Sequence, residues 1–415
     1  MLSLREYKEE YHLFTNICLN ITNACNLQCR YCFVEQKPEY MTLQVAKDAV
    51  DFLYNNVKRK RKICKNNNIK GNINFFGGEP MLLFKEIIVP LVEYVENTYS
   101  EVFTFGITTN GTLLTEDIIE YFYNHNISIL LSIDGNKETQ DYNRPCINSN
   151  KSSFDMIKPI IPTLLKHFPN TCFRMTIYEE TCDKLFENIL FAQEMGFKNI
   201  FFCVDSRNNF LEKNQEKLKI ELEKIFLYFT GSLINNFPLP NISPIDSALT
   251  SCLRQNITNN ILPEENLLSR DIFRCGLGTT SASIGPSGDI YACQEQTSQN
   301  SEENPFYIGN IYQGIDNEKH INLLENYRSL KPIVCEDIEM CKNCKLKNIC
   351  YEIRCPSASM FRFNDFFIRS KTECFYLQTV NELAQGLLSI ENKNIEKFIR
   401  YKLKLKEEGD NIGIS

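Results

Sequence analysis

The feature that limits this chain most is a regular alternation between residues 14 and 205. The nearly continuous apolar runs Phe14–Ile21, Asn72–Phe76, Phe103–Thr108, Ile127–Ile133, Cys172–Tyr178 and Ile200–Val204 read as strands. Between them Leu43–Arg59, Phe84–Tyr99, Glu116–Asn124, Phe154–Phe168 and Cys182–Met195 carry a helical apolar period. Apolar strands alternating with amphipathic helices mean βαβ units and a parallel sheet. Six such units fall short of the eight that close a barrel, so a partial, open α/β barrel is expected. Gln215–Asn236 continues as a further amphipathic helix, Pro238, Pro240 and Pro244 then suggest a boundary near residue 240, and Leu377–Glu408 reads as one or two terminal helices.

Composition narrows the class. A net charge of −7, from 45 basic and 52 acidic residues, argues against a nucleic-acid partner. No apolar run reaches the roughly 18 residues of a membrane span, and the N-terminus lacks the apolar core of a signal peptide. A cytoplasmic enzyme with no membrane partner is expected. Yet the chain holds 18 cysteines. A reducing compartment does not keep disulfides, so metal or iron–sulfur ligation is the leading explanation. Only four histidines are present, singly placed at His12, His125, His167 and His320, which leaves little material for a histidine metal site or a Ser-His-Asp triad.

The cysteines fall into two groups. Cys25, Cys29 and Cys32 form a Cys-x3-Cys-x2-Cys directly after the first strand. Three thiolates can hold three irons of a cubane and leave the fourth open, whereas ferredoxins and structural zinc use four ligands. At these residues the chain resembles the radical S-adenosylmethionine (SAM) enzymes. Tyr31 stands where that family usually places an aromatic residue before the third cysteine. Gly77-Gly78-Glu79-Pro80, after the second strand, matches the family's GGEP segment. Thr108-Thr109-Asn110-Gly111 follows the third strand, and Ser132-Ile133-Asp134-Gly135 with Asn143-Arg144 follows the fourth. The resemblance implies a [4Fe–4S] cluster on the trio, with SAM chelated to its open iron. It implies a hydrogen bond from the SAM amino group to Glu79, with the fourth-strand segment against the ribose and carboxylate. Arg174, on the fifth strand, is a second candidate carboxylate partner, since a guanidinium forks onto a carboxylate. The cofactor-binding set is therefore Tyr31, Gly77, Gly78, Glu79, Pro80, Thr109, Asn110, Ser132, Asp134, Arg144 and Arg174.

From Cys275 the pattern is Cys-x12-Gly288-x4-Cys293, then Cys341-x2-Cys344-x5-Cys350-x4-Cys355, then Cys374. This resembles the SPASM extension of radical SAM enzymes, with one extra residue before Cys355; Ile308-Gly309-Asn310-Ile311 matches a strand common there. The resemblance implies two auxiliary [4Fe–4S] clusters, three clusters in all. Cys341, Cys344, Cys350 and Cys374 would close one. Cys275, Cys293 and Cys355 would hold the other, with its fourth iron open to substrate or completed by Cys335 or Cys252. Sulfatase maturases carry a ligand cysteine where this chain has Ser281, and a catalytic Asp where it has Gln294; both departures argue against sulfatase maturation. A zinc ribbon on Cys341, Cys344, Cys350 and Cys355 is the plainer alternative.

The expected organisation is an N-terminal extension (1–13), a partial (β/α)6 radical SAM barrel (14–210), a helical bridge (211–270), a SPASM domain (271–376) and a helical tail (377–415). The family chemistry is reductive cleavage of SAM to a 5′-deoxyadenosyl radical. The implied function is maturation of a ribosomally made precursor peptide by a crosslink, foremost a cysteine thioether. The alternatives are a C–C or C–O crosslink, epimerisation, or oxidation of a protein partner. A flavodoxin or ferredoxin reductant is expected. Only 24 residues precede Cys25, so leader recognition is expected from Glu212–Arg270 or from a separate protein. No catalytic acid or base is assigned by the sequence.

Overall fold

The computed structural model describes residues 13–147, 150–258, 276–298, 303–328, 333–346, 350 and 355–408. Six strands of the expected alternation are present: β1 (Asn16–Thr22), β2 (Gly71–Gly77), β3 (Phe103–Thr109), β4 (Ile127–Ser132), β5 (Cys172–Ile177) and β6 (Asn199–Val204). They pair in sequence order and all in parallel. Their apolar faces pack the largest fully buried side chains, among them Phe75, Phe173 and Phe202. This is the open α/β barrel the pattern required.

The sheet does not stop at the expected boundary. The two-residue β7 (Asn241–Ile242) adds beside β6, and β8 (Ser281–Ile284) runs parallel to β1 on the opposite side. An antiparallel meander of β9 (Asp289–Tyr291), β10 (Tyr307–Asn310) and β11 (Gly314–Ile315) extends that side to eleven strands in one sheet. Ser281 thus lies in a strand, opposite Asn16. A second, two-stranded sheet joins β12 (Val334–Cys335) in parallel to β13 (Ile368–Arg369).

Prolines reshape two expected helices. Phe84–Tyr99 opens with a π turn, Phe84–Ile88, before the α-helix Val89–Thr98, because Pro90 has no amide to donate into the preceding turn. Phe154–Phe168 divides into Ser153–Ile157, a 3-10 turn at Lys158–Ile160 and Ile161–His167, with Pro159 and Pro162 at the joints. The terminal segment is two helices, Lys371–Leu388 and Lys393–Glu408. The first packs on helices Glu212–Ile234 and Ser243–Thr258 and so ties the tail to the barrel. No helix among the described residues is long and apolar enough to cross a membrane.

Candidate active site

The C-terminal ends of β1 to β6 converge on one cavity of about 240 Å3. Its wall includes Cys25, Cys29 and Cys32, then Gly77, Gly78 and Glu79 beyond β2, and Thr109 and Asn110 beyond β3. Ser132 on β4 and Arg174 on β5 are direct register partners, and both face the cavity with Arg144. Pro80 is buried at the start of the turn behind Glu79. Among the described residues no histidine lines the cavity.

The cysteine loop is held to the barrel by specific bonds. Gly78 N–H donates to Thr22 O (2.8 Å) and Glu79 N–H to Ala24 O (2.9 Å), so the β2 turn lies flat against the start of the loop. A Cβ on Gly78 would come within 2.2 Å of Ala24 O, and one on Gly77, at φ +139°, within 2.1 Å of Thr22 O; only glycine permits this approach. On the far side Asn110 Nδ2 donates to Asn26 Oδ1 (2.9 Å), and Asn26 Nδ2 donates to Thr112 Oγ1 (2.8 Å).

Asp134 fixes the loop from β4. Its carboxylate accepts hydrogen bonds from Tyr31 Oη, from Asn143 Nδ2 (3.1 Å), from Arg144 Nη2 (3.0 Å) and from the Thr176 amide (3.0 Å). The Arg144 guanidinium also lies over the Tyr31 ring, 5.3 Å from its centroid. With both carboxylate oxygens engaged and 2% exposure, Asp134 is a strut behind the wall rather than part of it. Tyr31 and Arg144 are the cavity groups it positions.

Glu79 is the cavity's most perturbed acid. It is 1% exposed, and its carboxylate accepts from Thr109 Oγ1 (2.7 Å), the Asn110 amide (2.7 Å) and the Met81 amide (3.1 Å). Those donors favour the charged form, but burial outweighs them and pushes its pKa up to about 7. Burial likewise pushes the Cys25 and Cys29 thiols up to about 12, so a cationic centre is needed to hold them as thiolates. Among the described residues no three His, Cys, Asp or Glu side chains close on a single ion. The trio lines a chamber instead, and a set of soft thiols around a space suits an iron–sulfur cluster.

The second cysteine group is present in part, since Cys275 falls outside the described residues. Cys293 and Cys355 interact electrostatically, and Cys355, with Gln294 and Glu295, lines the same cavity as the trio. Cys341, Cys344 and Cys350 neighbour one another. Gln378 Nε2 donates to Cys344 Sγ (3.3 Å), and Arg369 Nη1 donates to Cys350 Sγ (3.5 Å). The expectation that Cys335 or Cys252 completes the Cys293–Cys355 set is not what the structure arranges. The Cys335 amide donates to Cys341 Sγ (2.8 Å), which places it with the Cys341 group. Cys252 is buried between two helices, where it accepts from Asn381 Nδ2 (3.2 Å).

Sequence reasoning missed the wall beyond β6. Cys203, Asp205 and Arg207 line the cavity there. Arg207 pairs with Glu295 (2.8 Å), stacks on Phe33 and Phe361, and so bolts the barrel to the cysteine-rich region. Asp205, whose pKa burial raises, accepts from the Arg207 amide and Asn208 Nδ2. The signal was available: in parallel α/β sheets the carboxyl ends of strands build the site.

Comparison with known proteins places this architecture. The Radical SAM superfamily family model matches residues 19–192. The match spans less than half of the chain and falls on the barrel, from β1 into the helix after β5, so the barrel is a radical SAM domain. The chain is 34% identical over 191 residues (45% of this chain) to the uncharacterised protein MJ0907 of Methanocaldococcus jannaschii, and it spans 61% of that relative's length. It is 24% identical to the radical SAM cyclopropyl synthase TigE of Paramaledivibacter caminithermalis, over 86% of this chain and 71% of TigE. The structure of anSMEcpe with bound AdoMet and Cp18Cys peptide matches 93% of this chain and 99% of its own at a TM-score of 0.68. At 18% identity that likeness establishes the fold, a radical SAM barrel with its cysteine-rich extension.

Proposed function

We propose that this enzyme closes a crosslink in a ribosomally made peptide, and that the bond is a thioether from a peptide cysteine. The carrying observation is that one chamber is lined by both cysteine groups: the trio, and Cys355 with Gln294 and Glu295. In this reading Cys25, Cys29 and Cys32 hold the SAM cluster. Glu79 accepts from the SAM amino group beside Thr109 and Asn110, and Ser132, Arg144 and Arg174 line the rest of its site. Cys293 and Cys355, with Cys275, hold a near auxiliary cluster, and the group around Cys341 holds a distal one, three in all.

SAM on such a centre supplies a radical that removes hydrogen from an unreactive carbon, and an auxiliary cluster supplies a one-electron acceptor. The protein's work is to orient the two peptide atoms and exclude water. Joining carbon to sulfur removes one hydrogen atom, one proton and one electron from the peptide. Asp205 Oδ, in the wall and kept basic by burial, is positioned to take the proton. A flavodoxin- or ferredoxin-like reductant feeds the trio, and leader recognition falls to a separate protein or to the bridge region. That anSMEcpe is seen with a peptide, and that TigE is named for ring closure, support a peptide as substrate here.

The test is electron paramagnetic resonance of the reduced, reconstituted enzyme with a cysteine-containing precursor peptide encoded beside this chain, and with its Cys→Ser version. A signal shifted only by the cysteine form supports thiolate binding at the near cluster. A signal indifferent to both removes the thioether reading.

A further inference from the structure

Each part of Arg207, just beyond β6, holds a different element of the chamber. Its amide donates to Asp205 Oδ1 (3.1 Å), the proton acceptor proposed above. Its carbonyl accepts from Arg362 Nη1 (2.7 Å), on the helix Pro356–Phe363 that starts directly after Cys355. Its guanidinium, 13% exposed, reaches both cysteine groups. Nη1 donates to Tyr31 O (3.4 Å), and the guanidinium lies 4.8 Å from the centroid of the Phe33 ring, so it touches the residues on either side of Cys32. Nη2 donates to Glu295 Oε2 (2.8 Å), in the turn that follows Cys293. The same oxygen accepts from Ser357 Oγ (3.0 Å), close after Cys355, and the Phe361 ring of that helix lies 5.2 Å from the guanidinium.

A guanidinium is planar and presents its N–H groups in a rigid fork. Donating to Tyr31 O with one nitrogen and to Glu295 with the other, Arg207 fixes the spacing between the loop of Cys32 and the turn of Cys293. Aromatic rings from both regions hold the charge in place. Cleaving SAM draws on the residues around the trio alone, whereas joining two peptide atoms draws on both cysteine groups. That second step depends on spacing, since a misplacement of about 1 Å can cost about a hundredfold in rate. We propose that Arg207 is a positioning residue that keeps the Cys293–Cys355 site in register with the trio and so couples SAM cleavage to bond formation, an inference resting on the reading that both groups hold clusters and close a peptide crosslink.

The reconstituted full chain is compared with Arg207→Met, Arg207→Lys and Glu295→Gln, with the cysteine-containing precursor peptide as substrate. Arg207→Met is expected to keep wild-type iron content and an unchanged KM for SAM, while 5′-deoxyadenosine released per crosslinked peptide rises about tenfold or more. Glu295→Gln breaks the same ion pair and should raise the same ratio; combined with Arg207→Met it should add little, because the two side chains act as a unit. Arg207→Lys keeps a charge for Glu295 but not the fork, and its ratio is expected to fall between Arg207→Met and wild type. Without peptide, pulsed electron paramagnetic resonance of the reduced protein should show a shifted or broadened distance distribution between the two sites in Arg207→Met. An unchanged ratio or an unchanged distance distribution overturns the proposal, as does loss of iron in Arg207→Met and Glu295→Gln alike. A wild type that cleaves SAM but crosslinks no peptide fails the crosslinking reading instead, and the distance distribution then decides the role of Arg207. A wild type holding only about four irons fails the cluster reading, which iron analysis shows before any variant is made.

Discussion

Replacing Glu79 with Gln tests the electrostatics of the proposed SAM site, because shape is nearly kept while charge is lost. In the free protein the Glu79 carboxyl is raised from 4.5 to about 7, a difference that opposes ionisation by roughly 3 kcal/mol. With the folded value above the unfolded one, the protein without SAM loses that stability as pH climbs from about 4.5 through 7. The Glu79→Gln protein, having no proton to lose at this position, should lack this slope. Binding SAM reverses the preference, since the ionised carboxylate then gains a charge-assisted hydrogen bond from the SAM amino group of about 1.5–3 kcal/mol. Wild-type affinity for SAM should therefore strengthen by about tenfold between pH 6 and 8, as the carboxyl ionises. The Glu79→Gln variant should bind roughly ten- to hundredfold more weakly at pH 8, with no pH dependence from this group. The assay is anaerobic titration calorimetry on reconstituted protein, with iron content and thermal melting as controls. Equal SAM affinity in the two proteins at pH 8, or the same pH slope in both, would refute the assignment of Glu79.

Two further substitutions probe the scaffold. Gly78→Ala drives a Cβ into the Ala24 carbonyl at 2.2 Å, and since both partners are backbone the β2 turn must lift off the cysteine loop. The variant should lose about one cluster's worth of iron on reconstitution and melt at lower temperature; wild-type iron and melting would contradict the packing argument. Asp134→Ala removes one partner of a buried ion pair with Arg144 and leaves the Tyr31 hydroxyl unpaired. Urea unfolding should show a loss of about 3–5 kcal/mol, and a loss below about 1 kcal/mol would mean the strut carries little.

The barrel was legible because its signal is periodic and long. Strands such as Phe103–Thr109 and Ile127–Ser132 carry buried apolar residues at alternate positions, and their borders match the sequence reading within a residue or two. The trio and Glu79 were legible because each follows a strand that could be recognised, and Arg174 because it lies on one. What escaped notice has short or polar signals. β7 and β11 have two residues each and β8 reads Ser-Ala-Ser-Ile, so nothing in composition marks them as extensions of the same sheet. Asp205 and Arg207 follow a strand that was identified, but no motif flagged them. Arg207 gains its role only through Glu295, 88 positions away. The pairing of Cys335 with Arg369 is a contact between distant two-residue strands, β12 and β13, that spacing alone does not encode.

The central claim is that the chamber joins a peptide sulfur to a peptide carbon. Mass spectrometry of a cysteine-containing precursor peptide, co-expressed with this enzyme and then alkylated, tests it most directly. The account predicts a product lighter by two hydrogen atoms whose cysteine resists alkylation, absent when Cys25, Cys29 and Cys32 are replaced. A modified peptide whose cysteines all remain open to alkylation would contradict it.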